Sequence, residues 1–235
     1  MFRDRQEAAH RLVQRLDFLH GQHPLVLALA PHGVPLGRLL ANEFDGELDI
    51  TLVRALAVPT DPGRIVGAVG ESGRIHISSG ADLLGVAAAD IEAAASAHRR
   101  WLGEQRARYT PGRPARPASG RVVLLVDDAV VAAAEMLAAV EEAKAQTPRR
   151  LLVATAVATP EALAALEAVA ETICLLANPF LHDARQHFEH YPEADEQDVI
   201  RMLESTPTGF LPAHLERRRH DDRRTMHPRR RSDRT

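Results

Sequence analysis

Residues 122–136 read VVLLVDDAVVAAAEM, and the fold turns on how this stretch is read. Five apolar residues, Val122 to Val126, end in two aspartates, Asp127 and Asp128. A run that is apolar at successive positions leaves no face for water, the pattern of a strand buried in a parallel sheet. Such sheets bind ligands beyond the carboxyl ends of their strands, so the two carboxylates are placed where a ligand would arrive. The turn that follows, Ala129, Val130, Val131, Ala132, Ala133, Ala134 and Glu135, is of a different kind. An anion-binding turn uses glycines, hydroxyls and the amides of a helix N-terminus. This one has no glycine, serine or threonine, and it closes on a negative charge. Alanine favours helix, so the next helix is expected to begin between Ala129 and Ala133 and to run to about residue 145.

Outward from this strand the chain alternates. PLVLALA (24–30), LDITLVRAL (48–56), RRLLVATAVA (149–158) and ETICLLA (171–177) are further apolar runs of strand length. They predict strands near 25–30, 49–54, 122–127, 151–157 and 172–176. Helical patterns lie between them. Residues 4–20 carry Ala8, Leu12, Leu16 and Leu19 on one stripe, residues 87–109 form a long helix, and TPEALAALEAV opens on a Thr-Pro-Glu start. IVGAVG and RIHIS flank the turn ESG, which predicts a hairpin near 65–78. TPGRPARPASG (110–120) reads as a loop. The class is α/β: a mainly parallel sheet flanked by helices, with a small hairpin insertion.

Composition sets the bounds. The chain has 235 residues, 45% apolar and 26% charged, enough for one core of ordinary size. No apolar run approaches the roughly 18 residues of a membrane span, and the charged N-terminus is not a secretory signal. A single cysteine, Cys174, lies in an apolar run and reads as a core residue, which fits a reducing, cytoplasmic setting. Net charge is −3, but residues 216–235 hold nine arginines and four acids, so the remainder carries −8. That acidic remainder disfavours nucleic acid as a partner, except through the basic tail. The expected division is a folded unit over 1–204 and an Arg/His-rich disordered tail over 205–235.

Other candidates weigh less. FLHDARQHFEHYPEAD (180–195) gathers His182, Asp183, His187, Glu189 and His190, but its spacing matches no metal-binding template, and a polar segment over the sheet edge is the favoured reading. Glu71 reads as a solvated hairpin turn, and Trp101 and Tyr109 as packing residues of the long helix.

In order and wording, FRDR at the start, LVLALAPHGVP, LDITLVRALAVP, VGAVGESG and VVLLVDDA resemble the type I phosphoribosyltransferases, in their bacterial predicted-phosphoribosyltransferase branch. The likeness runs over residues 2–203. It implies the type I phosphoribosyltransferase fold, a site for phosphoribosyl pyrophosphate (PRPP), and Mg²⁺ if the protein is active. By resemblance, Asp127 and Asp128 contact the ribose hydroxyls, directly or through the metal. Ala129, Val130, Val131, Ala132 and Ala133 stand where the family's turn wraps the 5′-phosphate. His32, Gly33 and Arg54 stand at the pyrophosphate side.

The chain departs from the family at each anion-handling point. The turn's glycines fall at Ala129 and Ala133 and its threonines at Ala132 and Glu135. The pyrophosphate turn, usually Pro-Arg-Gly-Gly, reads Pro31-His32-Gly33-Val34, or Ala30-Pro31-His32-Gly33 if slipped. The Arg-Lys pair after the second strand is Arg54-Ala55. Two readings follow. One is a phosphoribosyltransferase-like protein with weak or lost activity, a pseudoenzyme serving as sensor or interaction module. The alternative is an active transferase moving ribose 5-phosphate from PRPP to an unknown acceptor. A PRPP-like phosphorylated small molecule is the expected ligand if the site is retained. No membrane partner is expected, no metal ligand is assigned, and a homodimer is left open.

Overall fold

The computed structural model describes residues 1–58, 61–78 and 85–204. Within them the elements run α1 (Arg5–Arg15), β1 (Leu25–Leu29), α2 (Val34–Glu43), β2 (Glu47–Thr51), β3 (Val53–Val58), β4 (Asp61–Gly70), β5 (Ile75–Ile77), α3 (Ala88–Tyr109), β6 (Val122–Val130), α4 (Ala133–Ala145), β7 (Arg150–Ala158), α5 (Pro160–Glu167), β8 (Glu171–Ala177) and α6 (Glu196–Glu204). Five strands form a parallel sheet in the order β2-β1-β6-β7-β8. Three form a separate antiparallel sheet, β3-β4-β5. This is the α/β architecture that the apolar runs imply, with helices covering the larger sheet. The proposed tail, 205–235, lies outside the described residues.

The larger sheet is buried as its composition requires. All five residues of β1 are buried, and Val123 to Val126 of β6 are at 0% exposure. The α1 stripe of Ala8, Leu12, Leu16 and Leu19 packs into the same cluster as β1 and α2, with Leu19 in a short 3₁₀ turn beyond the helix. Asp4 caps α1 by accepting the Glu7 N–H. Gly33, at the start of α2, marks a close approach. A Cβ there would sit 2.7 Å from the Val126 carbonyl oxygen and 2.9 Å from that of Leu29. No side chain fits between the helix start and the two central strands.

The expected single strand at 49–54 is two strands in two sheets. The chain leaves the parallel sheet after Thr51 and enters the smaller one at Val53. Leu52 between them gives its N–H to the Glu71 carboxylate at 3.0 Å. Glu71 is therefore not a solvated turn residue. Arg106 of α3 binds it at 2.8 and 2.6 Å, Asp49 at 3.0 Å and the Ile50 carbonyl at 2.8 Å. This charge cluster fixes the crossover from one sheet to the other. The expected hairpin is likewise one part of a three-stranded meander.

The strand bearing the aspartates runs longer than its apolar stretch. β6 continues through Val130, with Ala129 paired to Val157 and Val130 to Ala158. Helix α4 begins at Ala133, the late limit of the expected range, and Ala132 forms the cap without a side-chain hydrogen bond. Valines at 130 and 131 explain the order of events, since β-branched side chains favour extended backbone over helix. Cys174 is half-buried on the edge strand β8, where it packs against the core from the side.

Candidate functional site

The carboxyl ends of β1 and β6, the start of α4 and the segment after β8 enclose a hollow of about 400 Å³. Asp127, Asp128, Ala129, Val130, Val131, Ala132, Glu135 and His32 line it together. A second hollow of about 510 Å³ shares His32, Asp127 and Glu135 with the first and adds Arg54, Ala55, Trp101 and Tyr109. The structure thus gathers almost all the residues singled out in the sequence into one cleft. Gly33 and Ala133 do not reach its surface; Gly33 packs behind it, as described above, and Ala133 turns toward the cluster under α4.

The two aspartates have separate fates. Alternation along β6 turns them to opposite sides. Asp128 is 1% exposed, not set at an open sheet edge. Its Oδ2 accepts from Arg5 Nε at 2.7 Å and from the Tyr191 hydroxyl at 2.8 Å. The Arg5 guanidinium lies 3.9 Å from the centre of the Tyr191 ring and also donates to the Pro192 carbonyl. Burial first, and the Asp128 carboxylate second, push the Tyr191 phenol well above its ordinary range, so it remains a donor. Asp127 is half-buried, and its Oδ1 accepts the N–H of Asp128 at 2.8 Å. Burial, then the neighbouring Asp128, hold Asp127 well above the usual carboxylate range.

Glu135 occupies the first turn of α4 and reaches across to the smaller sheet, where its Oε1 accepts the Ala55 N–H at 3.1 Å. Burial raises its pKa, although the residue keeps enough contact with water for that effect to be screened. Two more glutamates of α4 hold the same small sheet: Glu141 meets His76 Nδ1 at 2.7 Å and Glu142 accepts from the Ser72 hydroxyl at 2.6 Å. The cations at the cleft are sparse. His32 is exposed, Arg54 lies over the Trp101 ring at 4.3 Å, and Arg185 is bound to Asp183 at 2.7 Å. Trp101 is therefore a cleft wall and not interior packing, whereas Tyr109 is buried.

Among the described residues no three His, Cys, Asp or Glu side chains converge to cage a metal ion, and Asp128 is taken up by Arg5. The residues present do not build a Mg²⁺ site of their own. Nor is any described helix long and apolar enough to cross a membrane.

Comparison with known proteins now adds to this geometry. No family model matches the chain. Over 217 residues, 91% of its length, it is 30% identical to "Putative phosphoribosyl transferase Rv0571c" of Mycobacterium tuberculosis. The chain spans about half, 48%, of that relative. It is 35% identical to the protein TT1426 from Thermus thermophilus, known from its crystal structure, over 86% of this chain and 97% of that one, with a TM-score of 0.74. In sequence the chain is thus similar to both proteins along most of its own length. The cleft lies at the carboxyl edge of the large sheet, and residues of the small sheet line its second hollow.

Arg5, Tyr191 and Glu193 escaped the sequence reading. Arg5 stood in the quoted FRDR without a role. One signal was available: Arg5 shares a helix face with Ala8, Ala9 and Leu12, all buried. A guanidinium on an apolar stripe calls for a buried carboxylate. Tyr191 and Glu193 follow an irregular segment with no periodicity, and nothing local marks them.

Proposed function

We propose that this chain is a phosphoribosyltransferase-fold protein in which PRPP-dependent transfer is weak or lost. The observation that carries the reading is the Glu135–Ala55 hydrogen bond. Glu135 stands where the family's second threonine would donate to the 5′-phosphate, and Ala55 stands where the family's lysine would face pyrophosphate. Here the two positions are joined to each other across the cleft. A carboxylate at a helix start uses the favourable end of the helix dipole that an incoming phosphate would otherwise use.

Three further features support it. Ala129 is committed to the β6–β7 ladder, so the turn opens as strand and not as a set of amides converging on an anion. Asp128 is paired inside the protein, leaving Asp127 to meet a ribose alone. The pyrophosphate side offers exposed His32 and Arg54, without the arginine and lysine of the family pattern.

Calorimetric titration of the purified protein with PRPP and Mg²⁺ tests this, with pyrophosphate release as the parallel readout. The expected result is no saturable heat at millimolar ligand, where a ligand at about 100 times its dissociation constant would stabilise by about 2.7 kcal/mol. Micromolar binding overturns the reading in favour of an active transferase.

A further inference from the structure

Two arginines line the cleft, and the protein treats them differently. Arg185 is bound to Asp183 at 2.7 Å. The Arg54 guanidinium makes no hydrogen bond and no ion pair among the described residues; it lies on the Trp101 ring, 4.3 Å from the ring centre. Stacking on an aromatic face fixes the plane of a guanidinium and leaves its N–H edge free to donate. A surface arginine loses rotamer freedom when it grips a ligand, and one already laid on a ring has lost part of that freedom beforehand. Arg54 is exposed and Trp101 is 39% exposed, so a ligand can reach both.

The pair forms part of the wall of the second hollow. At about 510 Å³ this space has the size of a small-molecule site. Most of the residues lining it are apolar, among them Leu29, Pro31, Leu52, Val53 and Ile65. The polar side chains are Arg54, His32, Asp127 and Glu135. Their charges decide which anion fits. Glu135 is engaged as an acceptor by the Ala55 N–H. Burial and Asp128 favour the protonated form of Asp127, which then adds little negative charge to the wall. Near Arg54, burial first and the arginine second hold His98 of α3 below its ordinary range, so it supplies no second cation. A multiply charged anion such as pyrophosphate therefore meets one fixed cation, one carboxylate and an apolar wall. A monoanion with a flat apolar body meets a guanidinium fork for its charge and a surface for its ring.

We propose that the second hollow is a binding site for a small aromatic carboxylate, with Arg54 holding the carboxylate and Trp101 and the apolar wall holding the ring. Trp101 has two roles in it: it orients the guanidinium, and it offers ring surface to the ligand. The site makes no use of the turn at Ala129–Ala133, so it goes beyond the loss of PRPP transfer and does not rest on it.

Trp101 is the only tryptophan of the chain, so its fluorescence reads this hollow directly. Benzoate is the probe. Benzamide supplies the ring without the charge, acetate the charge without the ring, and pyrophosphate the charge in excess. Benzoate should change the fluorescence saturably at millimolar concentration or below. Benzamide and acetate should each bind about tenfold more weakly or worse, as loss of a charge-assisted bond or of the ring contact requires. Arg54→Met should weaken benzoate by about tenfold or more, in fluorescence and in calorimetry alike. Arg54→Lys should restore only part of the loss, because an ammonium keeps the charge without the planar fork. Arg54 is exposed, so neither variant should change the melting temperature. The absence of a saturable response to benzoate would overturn the site. So would benzamide binding as tightly as benzoate, or benzoate binding unchanged in Arg54→Met. Pyrophosphate binding more tightly than benzoate, and weakened by Arg54→Met, would overturn the ligand class. No PRPP enters these titrations, so their failure and a failure of the reading that PRPP transfer is lost are told apart.

Discussion

Glu135 Oε1 and Ala55 N–H lie 3.1 Å apart, a contact that joins the start of α4 to β3 across the cleft. With Glu141 on His76 and Glu142 on Ser72 it makes α4 a row of carboxylates holding the small sheet in place. Glu135→Ala should therefore loosen β3 before anything else. Amide exchange at residues 53–58 is expected to rise, with a melting temperature lower by no more than a few degrees. Exchange unchanged in β3 would show that the contact holds nothing.

Asp127 gives a stability prediction with a definite sign. An unfolded aspartate titrates near about 3.9, and in the fold burial and Asp128 hold Asp127 well above that. Between the two values the folded state binds more protons than the unfolded one. The contribution of this group is thus most favourable below about pH 4 and is lost as pH rises through the raised folded value. Asp127→Asn removes that loss, and its side-chain oxygen still accepts the Asp128 N–H. At neutral pH the variant should be more stable than the parent and melt at a higher temperature. The gain should vanish near about pH 4. A variant less stable than the parent at neutral pH would mean that Asp127 is already compensated.

The Arg5–Asp128 pair predicts the opposite behaviour. Both side chains are buried, at 6% and 1% exposure. Removing one partner leaves a charge without compensation, at a cost of about 3–5 kcal/mol. Asp128→Leu and Arg5→Met should each approach that loss in denaturant unfolding. The double variant should recover much of it, since a matched apolar pair often replaces a buried ion pair without penalty. Additive losses would show that the two residues act independently.

These residues also mark how far the sequence was legible. The apolar runs located the strands of the large sheet because a fully buried strand has no polar positions to confuse its limits. LDITLVRAL misled because an apolar run does not say where a chain changes sheets. That decision is made at Leu52 by Glu71 and Arg106, which are distant in sequence. The turn after Asp128 was legible as one without glycines or hydroxyls. Its shape was not, since helix propensity at the alanines competed with the extended preference of Val130 and Val131, and pairing with β7 settled it. The Arg5–Asp128 pair was invisible for a related reason: the two residues are 123 positions apart, and only the fold brings them together.

Gly33 tests how tightly the cleft's floor is built. The methyl group of Gly33→Ala would meet the backbone oxygens of Val126 and Leu29 and come within 3.1 Å of Asp127 Cα. None of these atoms belongs to a side chain that can swing away. The change should cost about 1–3 kcal/mol, as overpacking does. A neutral outcome in thermal unfolding would show that α2 can shift along β1 and β6.

The last test returns to the turn itself. If PRPP is refused because of residues 129–135, restoring the family's pattern there should bring back phosphate affinity. Ala129→Gly, Ala132→Thr, Ala133→Gly and Glu135→Thr together supply two hydroxyl donors and remove the competing charge at the start of α4. The glycine at 129 also weakens strand character where β6 overruns, which favours a turn earlier in the chain. The combined variant should bind inorganic phosphate or ribose 5-phosphate measurably in calorimetry where the parent does not. Turnover of PRPP should remain low. The pyrophosphate side still has Arg54 and His32 without the arginine and lysine of the resembled pattern, and Asp128 is still held by Arg5. Adding Ala55→Lys should then improve PRPP binding more than ribose 5-phosphate binding, because only PRPP carries the pyrophosphate. Equal gains for the two ligands would place Ala55 outside the pyrophosphate side of the cleft.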